Sequence, residues 1–86
     1  METKNFSIRE SDGATNHIGT IVASKNNVLK DKILRACSEH FCIDARIKGS
    51  VKIKDYVDAD GSELTVTDAD DEEFKATIFV CQTWIY

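Results

Sequence analysis

Residues 74–86 read FKATIFVCQTWIY. Along a strand, successive side chains point to opposite faces. Phe74, Ala76, Ile78, Val80, Trp84 and Tyr86 then share one face, interrupted only by Gln82. Lys75, Thr77, Phe79, Cys81, Thr83 and Ile85 share the other. Apolar groups on both faces call for cover on both, which predicts an interior strand. β-branched and aromatic residues dominate the stretch, and neither Gly nor Pro interrupts it.

Moving towards the N-terminus, residues 68–73 (DADDEE) form an acidic turn, and residues 63–67 (ELTVT) form a partner strand with Leu64 and Val66 inward. Residues 58–62 (DADGS) read as a hairpin loop centred on Asp60-Gly61. Residues 45–54 (ARIKGSVKIK) alternate: Ala45, Ile47, Val51 and Ile53 against Arg46, Lys48, Lys52 and Lys54. That pattern predicts a half-buried strand with a basic outer row, bent at Gly49 and extended by Tyr56 and Val57. The three strands make an antiparallel meander.

Upstream, Leu29, Ile33, Ala36, Cys37, His40 and Phe41 recur at three- and four-residue intervals. This predicts a helix from about Val28 to His40 or Phe41 with one apolar stripe. Residues 24–27 (SKNN) supply its N-caps. Residues 6–10 and 17–23 read as a first hairpin around Asp12-Gly13, with Gly19 marking a bulge or a close neighbour. The expected fold is α+β, two-layer, one helix packed on an antiparallel sheet, in the order ββαβββ. One helix covers one sheet face, which leaves Phe79, Cys81 and Ile85 on the far side.

The 86 residues predict a single domain, 1–86, with 42% hydrophobic and 30% charged residues. Formal net charge is −4, unevenly spread. Residues 1–54 hold ten of the eleven Lys and Arg and six of the fifteen acids, a net of +4; residues 55–86 hold Lys75 against nine acids, a net of −8. Folding brings a basic and an acidic surface together, which solubilises the chain or steers a charged partner. Three cysteines, Cys37, Cys42 and Cys81, and a polar beginning without a signal core point to free thiols in a cytoplasm. No apolar run approaches the ~20 residues that span a bilayer.

Motifs for chemistry fall short. With Asp58, Asp60 and Gly61 at positions three, five and six of a calcium loop, Tyr56 and Thr67 occupy positions that demand carboxylates. Cys37, His40, Cys42 and Cys81 are zinc ligands by type, but no CxxC pair exists and Cys42 leaves the helix face of the other two. Cys37 and His40 lie on the core stripe, where buried thiol is a small hydrophobe rather than a nucleophile. No glycine loop for phosphate is present. No catalytic residue, metal or cofactor is therefore assigned.

The expected function is a non-enzymatic interaction protein that binds another macromolecule, a protein first, through the far sheet face and the acidic loops. Its expected contacts are Lys48, Lys52, Lys54, Phe79 and Ile85, with Asp70, Asp71 and Glu72 as a charge-based contact. A homodimer through the same sheet is the first expected assembly. The alternative is a nucleic-acid-linked role. The basic row Arg46, Lys48, Lys52 and Lys54 would bind single strands beside Tyr56 and Phe79, or the acidic turn would mimic a phosphate backbone and inhibit a nucleic-acid-binding protein.

Overall fold

In the computed structural model, which describes residues 3–11, 16–57 and 61–81, the chain runs β1 (Lys4–Glu10), β2 (His17–Ala23), α1 (Asn26–Phe41), α2 (Ile53–Val57), β3 (Ser62–Thr67) and β4 (Glu73–Cys81). The four strands form one sheet in the order β2-β1-β4-β3. Every neighbouring pair is antiparallel. The fold is thus α+β, and β4 is an interior strand with β1 on one side and β3 on the other.

Directly opposed residues in antiparallel strands share a face. Phe6 stands between Ile21 and Val80, Ile8 between Gly19 and Ile78, and Leu64 opposite Ala76. This is the covered face. Phe6, Ile8, Ala76, Ile78 and Val66 have no exposed surface, nor do Leu29, Ile33 and Cys37 of α1 above them. The four-residue spacing of those helical residues keeps them on one stripe. A Cβ built at Gly19 would lie 3.8 Å from the Ala36 Cβ, so the helix runs close over β2. Gly19 also sits at the register shift that moves Ile8↔Gly19 to Arg9↔His17. The first hairpin and its bulge follow the sequence reading, although Asp12-Gly13 lies outside the described residues.

Three expectations are corrected. Residues 45–54 are not a strand. Arg46 makes an isolated bridge to Thr67, Gly49 turns the chain at φ 96°, and Ile53–Val57 is a five-residue helix. The Asn26 Oδ1 accepts the Ile53 N–H at 2.9 Å, at the start of α2. Tyr56 then packs edge-on against Phe6, centroids 6.3 Å apart, and plugs the core. The order is therefore ββααββ with two helices rather than ββαβββ with one. The expected meander is replaced as well: the second neighbour of β4 is β1, brought from the N-terminal hairpin.

The third correction, a partial one, is at the start of α1. Lys25 occupies the N-cap with no side-chain capping bond and Asn26 is turned to α2, although the Asn27 Oδ1 does accept a first-turn N–H, that of Val28, at 3.0 Å. The other end is well closed. Cys42 takes the left-handed conformation at φ 58°, and the N–H groups of Cys42 and Ile43 both bond the Ser38 carbonyl. The Ser38 hydroxyl accepts the Ala45 N–H at 3.1 Å, so the exit from the helix is fixed too.

Candidate functional site

Both helices pack on the face that carries Phe6. The other face presents Asn5, Ser7 and Arg9 of β1, Thr20 and Val22 of β2, Thr65 and Thr67 of β3, and Lys75, Thr77 and Phe79 of β4. It is largely polar. Ser7, with Thr20 and Phe79 on either side, is only 6% exposed, and its neighbours shield it. Phe79 is half-buried: the Arg9 guanidinium lies 5.7 Å from its ring centroid, and Gly61 backs onto its edge.

Of the lysines expected to frame Phe79, Lys48 stands at the β3 part of this same face, and the other two lie at α2. Lys48 lies beside β3, in a shallow hollow with Glu63, Thr65 and Glu73. Lys52 and Lys54 belong to the α2 segment, whose Tyr56 packs on the opposite sheet face. All three lysines are exposed, as is Arg46. Ile85 lies outside the described residues, as do Trp84 and Tyr86.

The acidic turn is a built hairpin. The Asp68 carboxylate accepts the N–H groups of Asp70 at 2.8 Å and Glu72 at 3.0 Å, and the backbone of Asp68 bonds those of Asp71 and Glu72. Asp71 takes φ 61°, a left-handed position that Asp tolerates better than most residues. Asp70, Asp71, Glu72 and Glu73 are left exposed together at one end of the sheet.

His40 is not on the buried stripe. It turns to Glu10 at the end of β1, and their side chains are 30% and 28% exposed. Asn16 donates to the second oxygen of Glu10 at 3.0 Å. The two bonds hold the Glu10 carboxyl below its ordinary range, the one from His40 contributing most. A hollow of about 410 Å³ opens beside it, floored by Phe41 and Phe74 and rimmed by Glu10, Glu73 and Lys75. Cys37 is fully buried, and burial pushes its thiol up to about 11, which disfavours the thiolate that a nucleophile needs. Among the described residues no group of three or more His, Cys, Asp or Glu converges as metal ligands.

The sequence reading passed over the outer edge of β2. Among the described residues this strand pairs with β1 alone, and its other edge is open. Beside it runs a groove of about 400 Å³, lined by Thr20, Ile21, Val22, Lys32, Arg35, Ala36 and Glu39. Val22 is 41% exposed, the largest exposure of any large apolar side chain among the described residues. The Lys32 ammonium donates to the Val22 carbonyl at 2.6 Å and so occupies one outward-facing backbone acceptor. The signal in the sequence was Val22 followed ten residues later by Lys32, which becomes visible only once β2 is known to be an edge.

No family model, curated protein or solved structure matches the chain. No helix among the described residues is long and apolar enough to cross a membrane.

Proposed function

We propose that this chain is a non-enzymatic interaction domain that binds another protein, taking an extended segment of its partner onto the open edge of β2. The observation that supports this reading is the combination of an edge unpaired among the described residues with an exposed Val22 and an adjoining groove between β2 and α1. An open edge offers a row of backbone donors and acceptors to a strand, and a flanking groove gives its side chains somewhere to go. The other edge is less available, because the Arg46–Thr67 bridge, with two backbone bonds of 2.8 and 2.9 Å, already occupies part of β3. The exposed acids Asp70, Asp71 and Glu72 offer a second, charge-based contact at the far end of the sheet.

Selection from a library of random twelve-residue peptides, with amide chemical-shift mapping of the winners, tests the reading. The expected result is β-prone peptides that move the amides of residues 18–23. Winners that move only residues 68–73, or the Arg9–Phe79 face, would overturn it.

A further inference from the structure

The charge around the β2 groove points to the chemistry of the segment that fills it. We propose that the occupant is an extended acidic peptide, with β-branched side chains on one face and Asp or Glu on the other. This rests on the strand-addition reading and specifies its partner.

A strand laid beside β2 continues the alternation of the sheet. On the uncovered side its side chains meet Val22 and Thr20, which favours small β-branched groups. On the helix side they pass over Ile21 and Ala36 and end beside Lys32 and Arg35, both exposed. Lys25, also exposed, stands where β2 gives way to α1. Carboxylates match that rim. Only one acid lines the groove, Glu39, and it lies a turn beyond Arg35.

Lys32 has a particular part. In the free chain its ammonium is held by the Val22 carbonyl. An incoming backbone N–H is the natural partner of that carbonyl in a ladder. Once it arrives, Lys32 is released to a carboxylate of the same peptide. One side chain thus guards the edge when it is empty and selects charge when it is filled.

The test uses the whole chain with three probes: a capped ten-residue peptide alternating Val and Glu, its counterpart with Lys for Glu, and a ten-nucleotide oligothymidine. The acidic peptide is expected to bind at least tenfold tighter than the basic one and to shift the amides of residues 18–23. Lys32→Glu and Arg35→Glu are each expected to weaken it fivefold or more, and Glu39→Gln to strengthen it. All three substituted side chains are exposed, so circular dichroism should be unchanged. Equal binding of both peptides at residues 18–23 overturns the charge inference and leaves strand addition standing. Failure of every peptide to reach residues 18–23 overturns both. Competition by the oligothymidine at the same residues, or β2 amides that shift with protein concentration alone as light scattering reports a dimer, replaces the peptide with nucleic acid or a second copy and overturns the proposal.

Discussion

The Glu10 carboxylate is hydrogen-bonded to the His40 imidazole thirty positions along the chain, joining the end of β1 to the last turn of α1. Asn16 holds the other carboxylate oxygen from the far side of the first hairpin. One charged group therefore ties together strand, helix and hairpin at the end of the sheet where the 410 Å³ hollow opens.

The sign of its pH dependence follows from its partners. Both bonds favour the ionised form, so Glu10 titrates lower when folded than its ordinary value of 4.5. Its contribution to stability is then present above the unfolded value and is lost as pH falls through the folded one. Urea midpoints measured from pH 7 to 3 should show Glu10→Gln less stable than the parent at pH 7, with the gap closing below about pH 4. A gap that persists undiminished at pH 3 would mean that the carboxylate's charge has no part in the tie.

Gly61 and Phe79 make a second coupled pair. A Cβ on Gly61 would lie 2.5 Å from Phe79 Cε1, and Gly61 has φ 97°. The ring can tilt away; the backbone cannot relax so easily, since left-handed or wider positive φ costs non-glycine residues about 1–3 kcal/mol. Gly61→Ala should therefore lower unfolding free energy by about that amount. Phe79→Ala should recover only a small part of the loss, and a double-mutant cycle by urea titration separates the two terms. Full recovery would assign the whole cost to the ring.

The limits of sequence reading show in the same places. The interior position of β4 was legible in the β-branched and aromatic run of residues 74–81, but cover on both of its faces was not the reason: both helices pack on the Phe6 side, and Phe79 on the other is half-buried beside Arg9. The helix stripe was legible at Leu29, Ile33 and Cys37, all fully buried. In residues 45–54 the alternation correctly separated inside from outside: Ala45 and Val51 are buried, Ile47 and Ile53 half-buried, and Arg46, Lys48, Lys52 and Lys54 exposed. It could not separate a strand from a loop followed by a short helix. The helix start meets Asn26, 27 residues away, and such a long-range contact leaves no periodic trace. The open edge was hidden for a related reason. Whether β2 is central or peripheral depends on which strand β4 pairs with, a long-range choice that local pattern does not encode.

Thiol reactivity should divide cleanly. Cys37 is buried with its pKa pushed up to about 11, whereas Cys42 is exposed at the left-handed end of α1. In a Cys81→Ser chain at pH 7.5, a disulfide reagent should modify Cys42 within minutes. Cys37 should be modified only as fast as the protein opens, and both should react together in denaturant. Peptide mapping after timed quenching assigns the sites. Early labelling of Cys37 in the native chain would contradict its place under the sheet.

Asn26 carries the most informative single substitution, because its side chain meets the start of the helix that follows α1. Its Oδ1 accepts the first N–H of α2, and that helix inserts Tyr56 beside Phe6. An acceptor at a helix N-terminus contributes about 0.5–2 kcal/mol, and here it comes from a different helix. Asn26→Ala should cost about 1 kcal/mol by urea titration and raise hydrogen exchange at Ile53 far more than at Ile33. Asn26→Asp keeps an acceptor in place and should stay near the parent. Two outcomes separate the bond from the helix propensity of position 26. If alanine, the better helix former, stabilises the chain, α2 is held by Tyr56 alone. If both substitutions speed exchange at Ile53 equally, the amide nitrogen rather than the oxygen of Asn26 is what matters, and the start of α2 must be secured from elsewhere.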